Sequence, residues 1–467
     1  PRQEGRPMYQ FANDPTHQAF TSFQAPHVLM ITNHGIHQWD VVPGLPDTGG
    51  QNVYVNQLTE VLADFGFKIS IVNRGGYPHP TTGEMRRGRR YKDAHQRILY
   101  IEDSTKEFVR KEDMKEQVPE LVDFLYDTLD KEGQTIDLVL SHYWDAALLG
   151  YRFNERLETP LPHLWIPHSL GAIKKRNMPP ETWEKLRVDE RIETEKQFIP
   201  GLDHVAATSS LIRDSLRNDY GRDISLFLPP CVNPEKYHYR EIEENHEIWD
   251  FLAEASGLSK KRLSESRYIM EVSRTDKTKR KDVLIKAFAK ALEKHPELLL
   301  IVSIDRTEEE LYRELTGLIA DLGIEEEVIV IGHEAARLPY LYSLLSVYCS
   351  PSVMEGFGMS VQEAAATSVP VVGSDKIPFV VEYLLGEEVE ERSIDAVKSG
   401  PLRIGEGGIV VPSDEVEGFA YALDLLMSDD EYRKRMGDKA LDITVPYFTW
   451  EEMTRRMLDK MGVSADG

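Results

Sequence analysis

Glu355 and Glu363 bracket the turn Gly356-Phe357-Gly358-Met359, at a point where strand-like spacing gives way to helical spacing. Residues 344–348 form an apolar run ended by Ser350-Pro351-Ser352, residues 360–367 have helical spacing, and 369–373 read as the next buried strand. The first N–H groups of a helix lack partners within it and lie at the positive end of its dipole, so this turn is a place to hold an anion. Glycines let a ligand approach the backbone, and a carboxylate on each side can bind hydroxyls. A ligand carrying phosphate and sugar fits that pattern. A plain tight turn, with Glu363 as an ordinary carboxylate near a helix start, fits it too.

Two more polar stretches follow apolar runs. Residues 268–272 lead into Ser273-Arg274-Thr275-Asp276-Lys277-Thr278-Lys279-Arg280-Lys281. Arg274 as a fork and Lys279 as a point charge would stabilise a diphosphate leaving group. Five cations within eight residues also suit a solvated loop, but the position at a strand end favours function. Residues 163–166 lead into Pro167-His168-Ser169-Leu170-Gly171, with Lys174, Lys175 and Arg176 just beyond. A histidine at a strand end is commonly structural; followed by three cations, His168 is placed to face an anionic substrate.

These groups must be positioned by a scaffold, and 467 residues are too many for one ordinary core. A strand at 27–32, a loop ending in Pro46-Asp47-Thr48-Gly49-Gly50-Gln51, a helix at 52–65 and a strand at 68–72 make a βαβ unit, hence a parallel sheet. The G-x-G-x-x-G dinucleotide fingerprint is absent. Strands are expected at 98–101, 137–141, 163–166 and 204–208, with helices at 118–129 and 188–198, and Pro229-Pro230 closes this half. A second alternating series starts at 268–272 and runs through a helix at 416–427. The expected division is an N-terminal arm 1–25, Rossmann-like domains 26–233 and 234–440, and a helical tail 441–467 with the option of crossing back to the first domain. The fold class is α/β, two doubly wound domains facing a central cleft, with ligands outside the carboxyl ends of the strands.

Composition sets limits. The formal net charge of -24 argues against nucleic acid or anionic membranes as partners, so any anionic substrate needs a local cationic cluster. No apolar run approaches the roughly 20 residues of a membrane span, and no hydrophobic signal core is visible. Cys231 and Cys349 lack metal-type spacing and read as buried and reduced. The expectation is a cytoplasmic protein.

Pro46-Asp47-Thr48-Gly49-Gly50-Gln51, the His168-Ser169-Leu170-Gly171 loop, Arg191-Ile192-Glu193-Thr194-Glu195, Leu228-Pro229-Pro230, Arg274…Lys279 and Glu355…Glu363 occur in that order. Together they resemble the retaining GT-B glycosyltransferases of the sucrose synthase and sucrose-phosphate synthase type, from His27 to about Leu425. The resemblance implies a nucleotide-sugar donor on the second domain and an acceptor on the first, with neither metal nor other cofactor. It gives Arg274 and Lys279 the donor diphosphate and Glu363 the ribose hydroxyls. Glu355 and the backbone of Gly356, Phe357, Gly358 and Met359 would hold the transferred sugar, Gly50 would offer its N–H to phosphate, and His168 would lie beside the donor sugar. His168, Glu355, Arg274 and Lys279 are thus the catalytic candidates, in a front-face transfer that depends on charge stabilisation and positioning. Within that family, Gln51, Lys111, Tyr143, Ser169, Lys174 and Arg191 match acceptor positions, which implies a small phosphorylated acceptor such as a sugar phosphate. Oligomeric state is not readable.

The chain also departs from the pattern. Ser374-Asp375-Lys376-Ile377-Pro378 replaces the usual Gly-Gly-Pro segment, Cys231 replaces a glycine, and 384–405 resembles an acidic insertion. The stretches 34–40 and 84–90 match no acceptor pattern. A sucrose-synthase-like transfer to or from a free sugar, and a non-catalytic nucleotide-sugar-binding protein, stand as alternatives; a lipid-linked acceptor lacks a basic amphipathic face to support it.

Overall fold

The computed structural model describes residues 14–42, 45–332 and 334–463. Its contacts divide the chain into two units, Pro1–Pro229 with Met453–Gly467, and Pro230–Glu452.

In the first unit, β1 (His27–Ile31), β2 (Lys68–Arg74), β3 (Gly88–Tyr91), β4 (Gln96–Ile101), β5 (Leu138–His142), β6 (His163–Ile166), β7 (His204–Ala207) and β8 (Leu226–Phe227) form one sheet. Its order is β3-β4-β2-β1-β5-β6-β7-β8. Every pairing is parallel except β3 with β4. Strands β1, β2, β4 and β5 are buried along their whole length, and β1, of sequence HVLMI, reads as a nearly unbroken apolar run. The chain moves outward from β1 through β2 and β4, then returns to β1's other side as β5. That reversal opens a crevice at the carboxyl ends of β1 and β5.

The second unit repeats the plan with β9 (Arg267–Glu271), β10 (Leu298–Ser303), β11 (Val328–Ile331), β12 (Leu345–Ser350), β13 (Val371–Ser374), β14 (Glu390–Arg392), β15 (Leu402–Ile404) and β16 (Gly408–Val411). The order β11-β10-β9-β12-β13-β16-β15-β14 places its reversal between β9 and β12. Apolar clusters cover both faces: Ile301, Tyr348 and Phe379 belong to one, Ile269, Leu300 and Phe419 to the other. The acidic stretch 384–405 contributes β14 and β15, which extend the sheet edge antiparallel.

Three boundaries differ from expectation. Residues 1–25 are not all an arm: Pro15–Ser22 is a helix with Asp14 capping Thr16 N at 2.8 Å, and its Phe20 is fully buried. Residues 1–13 lie outside the described part. The first unit ends at Pro229 rather than 233, because Val232 is tied into the second unit, its N–H donating to Phe448 O at 2.8 Å. The expected break at 440 falls inside the continuous helix Asp430–Thr444, which stops only where Val445 precedes Pro446. From Met453 onward the last helix is part of the first unit: Tyr54 Oη donates to Met453 Sδ at 3.7 Å, and Arg455 lies 5.1 Å over the Phe65 ring. No helix among the described residues is long and apolar enough to cross a membrane.

Candidate active site

In the second unit, the site grows from the carboxyl ends of β9 and β12. Tyr348, on β12, exchanges hydrogen bonds with Val272 N and O at 3.2 and 3.1 Å, locking the two strand ends together. The loop after β9 turns through a short 3₁₀ helix, Lys277–Lys279, capped by Asp276 at Thr278 N (2.9 Å). Thr278 O then accepts from Val353 N at 2.8 Å and from Ser352 Oγ at 3.3 Å. That seam brings Lys279 Nζ within 2.5 Å of Glu355 Oε1, with both side chains largely buried. Lys279 and Glu355 thus form a largely buried ion pair at the strand-end crevice.

Lys281 braces the same loop from below. It is buried against Glu271, with further bonds to Ser273 Oγ at 3.0 Å and Ser303 Oγ at 3.3 Å. Arg274 stands apart: its side chain is 88% exposed and its nearest carboxylate, Asp276, is 3.7 Å away. The structure therefore joins Lys279 with Glu355 and leaves Arg274 in solvent.

The helix Met359–Ala366 begins at Gly358, whose φ of +112° is a glycine conformation. A Cβ there would fall 2.7 Å from Ile377 Cγ2, while Gly356 has open space around it. Phe357, expected near the donor, has a core side chain packed on Phe379 and Phe448, leaving only its backbone for a ligand. Glu363, in the second turn, accepts from Tyr342 Oη at 2.9 Å and is bonded by Tyr237 as well. Burial pushes its carboxyl up to about 7, although the two hydroxyls pull the other way.

In the first unit, Gln51 near the start of the helix Gly50–Asp64 donates to Thr32 Oγ1 at 3.1 Å and to His142 O at 3.4 Å, spanning the β1 and β5 ends. Neither Gly49 nor Gly50 has a neighbour where a Cβ would stand. His168 (φ +53°) stacks on His142, and its Nε2 meets His142 Nδ1 at 2.9 Å. Burial pushes the His168 ring down to about 3, with His34 adding to the effect, so it is neutral at physiological pH. Polarity, not charge, is what His168 offers a ligand.

Tyr143, in the strained φ +78° conformation after β5, is the hub of the expected acceptor group. Arg191 donates to Tyr143 Oη at 2.7 Å, to Ser169 O at 2.7 Å and to Glu195 Oε1 at 2.8 Å. Its guanidinium also lies 4.4 Å over the Tyr143 ring, and Lys174 Nζ lies 5.7 Å over it. Tyr143, Lys174 and Arg191 line one narrow pocket of about 10 Å³, together with Lys115, Arg187 and Glu190. Lys111 is not in that lining: it is paired with Asp47, which also accepts from Lys111 N at 3.1 Å. Among the described residues Lys174 has no ion pair. Arg191 is committed to Glu195, and Arg187 to Glu190 and Glu116 at 2.7 and 2.6 Å.

Sequence reasoning missed several neighbours. His34 Nδ1 bonds to buried Asp145 Oδ1 at 2.9 Å, and its ring edges Tyr143 at 4.8 Å. His34 follows β1 and His142 ends β5, so the strand-end rule that selected His168 also selects both. Tyr237 and Tyr342, which hold Glu363, are remote in sequence and carry no local signal.

A family model described as "Glycosyl transferases group 1" matches residues 258–442, and one described as "Glycosyltransferase Family 4" matches 48–236. Mannosylfructose-phosphate synthase of Agrobacterium fabrum is 28% identical over 74% of this chain and 76% of its own length. D-inositol 3-phosphate glycosyltransferase of Corynebacterium glutamicum is 25% identical over 86% of this chain and 88% of its own. Among solved structures, sucrose-phosphate synthase from Thermosynechococcus elongatus superposes with a TM-score of 0.67 at 20% identity, covering 93% of this chain and 98% of that one. Two matched models that together span most of the sequence, and a double doubly wound architecture with its polar groups at the two reversal points, lead to one assignment: the chain belongs to the group 1 glycosyltransferases of the GT-B fold.

Proposed function

We propose that the chain is a retaining hexosyltransferase that moves a hexose, with glucose the leading candidate, from a nucleotide-sugar to a small phosphorylated acceptor such as a sugar phosphate. The observation that carries this reading is the convergence of Tyr143, Lys174 and Arg191, from three separate segments, on one pocket of the first unit. Arg191 is held rigid by Glu195 while Lys174 has no carboxylate partner among the described residues, so Lys174 is the cation available to a phosphomonoester. At about 10 Å³ the pocket must widen to admit its ligand, and Lys174 and Lys115 are the long side chains able to yield. Two relatives bear names that specify phosphorylated products or acceptors, mannosylfructose phosphate and inositol 3-phosphate, which supports the same class.

In the second unit, Lys279 and Arg274 would meet the donor diphosphate, Arg274 folding in from solvent. Glu363 would accept from the ribose hydroxyls, and Glu355 with the Gly356–Met359 backbone would hold the sugar. Charge built up on the departing diphosphate is stabilised by these cations, and the reaction as proposed requires no metal. His168, neutral and hydrogen-bonded to His142, would orient the sugar rather than carry charge. The leaving phosphate would take the acceptor proton as the new bond forms on the same face.

Transfer to a free sugar is the second reading. It is favoured by one observation: Lys111, Arg187 and Arg191 are each already neutralised by a carboxylate. A donor-by-acceptor matrix separates the two. Uridine, adenosine and guanosine diphosphate sugars are tested with free and phosphorylated hexoses in chelator, and released nucleoside diphosphate is the signal. Turnover confined to phosphorylated acceptors, with the donor's anomeric configuration kept in the product, is the expected result. Turnover with free sugars alone replaces the first reading with the second, and nucleotide binding without turnover removes both.

A further inference from the structure

We propose that a cavity beneath the β3–β4 hairpin of the first unit is a binding site for a neutral sugar ring, separate from the pocket around Tyr143. The cavity measures about 290 Å³ and is lined by Trp39, Asp40, His79, Glu84 and Arg86 among others. All of these but His79 come from stretches 34–40 and 84–90, which the acceptor assignment leaves unused.

The floor is rigid. Arg86 is buried, donating to Arg74 O at 2.9 Å, Tyr77 Oη at 2.5 Å and His37 O at 3.3 Å, and to Asn73 Oδ1. Its guanidinium lies between the rings of Tyr77 and Tyr100, at 5.1 and 4.7 Å. A guanidinium so fully engaged is not available to clamp a phosphate. Arg90 is likewise held, by Glu84. Arg86 and Arg90 balance Asp40 and Glu84, so the lining is neutral overall and selects against an anion.

What the cavity does offer suits a polyhydroxylated ring. Trp39 contributes an aromatic ring, over which Lys92 Nζ lies at 5.7 Å, Asp40 and Glu84 can accept from hydroxyls, and the Gln38 amide can both donate and accept. Two donors there lack acceptors. Trp39 Nε1 has no partner among the described residues. His79 Nδ1 accepts from Thr81 N and Thr82 N, both at 3.3 Å, which leaves a proton on Nε2, and that atom also lacks a partner among the described residues. β4 is two strands from β1, about 10 Å at the usual strand spacing. The site therefore takes a separate ring, or the far ring of a longer glycoside.

The test reads binding directly on the full chain without donor, so its failure is independent of the transferase reading. Saturation-transfer NMR is run with methyl glucoside and sucrose on the parent, Trp39→Ala, Asp40→Asn and Lys174→Ala. Asp40 is exposed, so its variant keeps the fold even if the tryptophan variant does not. The expected result is saturable binding, weakened at least tenfold in Trp39→Ala and Asp40→Asn, unchanged in Lys174→Ala, and indifferent to inorganic phosphate. No saturable binding, binding that survives Asp40→Asn, binding abolished by Lys174→Ala, or competition by phosphate would each overturn the proposal.

Discussion

Replacing Glu363 by glutamine should remove a specific piece of the protein's pH dependence. The Glu363 carboxyl is raised from 4.5 to about 7 by burial, against the pull of the Tyr342 and Tyr237 hydroxyls. A carboxyl whose folded value lies above its unfolded value keeps its proton in the fold while the unfolded chain has lost it. Stability from this group is therefore fully present below about 4.5 and is lost as pH rises towards 7. The interval from 4.5 to about 7, at 1.36 kcal/mol per pH unit, amounts to about 3 kcal/mol, of which about 2.5 kcal/mol falls between pH 5 and pH 8. Urea unfolding of the parent and of Glu363→Gln at both pH values is the assay. The stability difference between the two proteins should shift by about 2 to 3 kcal/mol in favour of the variant at pH 8. The same ionisation should act on the donor: an ionised Glu363 accepts ribose hydroxyls better, so nucleotide affinity should rise through pH 7 in the parent and stay flat in the variant. A stability difference that is the same at pH 5 and pH 8 would refute the argument, because it would mean that Glu363 is not held protonated by its surroundings.

Lys279→Met leaves Glu355 without its cation and should lower kcat by roughly 10²–10³, read from initial rates alongside weakened nucleoside diphosphate binding in calorimetry. Gly358→Ala forces a Cβ to 2.7 Å from Ile377 Cγ2 at φ +112° and should cost about 1–3 kcal/mol in urea melts. Arg191→Met leaves Glu195, wholly buried, without its guanidinium and should cost about 3–5 kcal/mol by the same measurement, whatever its effect on activity.

Much of this architecture is legible in the sequence because parallel strands buried on both faces write themselves as apolar runs. β6 begins and ends where the pattern puts it, and the helix Val188–Phe198 does so too. β3, of sequence Gly-Arg-Arg-Tyr, has no apolar run because it is a half-exposed edge strand, and β14 is hidden in an acidic stretch for the same reason. The helix Pro15–Ser22 buries a single residue, Phe20, too little to mark a periodicity, though Asp14-Pro15 is a helix-start signal.

At the site, positions were readable and pairings were not. Strand ends picked out Lys279, Glu355 and His168, since ligands bind where strands stop. Nothing local says that Lys111 meets Asp47, that Arg274 points into solvent, or that Tyr237 and Tyr342 enclose Glu363. Such pairings join segments that are distant in the chain, and only the folded backbone decides them.

The central claim, a phosphorylated acceptor held through Lys174, is tested most directly by one ratio. kcat/KM for a hexose phosphate over kcat/KM for the same free hexose is measured in the parent and in Lys174→Ala. Loss of one charge-assisted contact should lower that ratio by roughly tenfold to a hundredfold while leaving turnover of the free sugar in place. An unchanged ratio would contradict the claim and move the acceptor assignment to a neutral sugar.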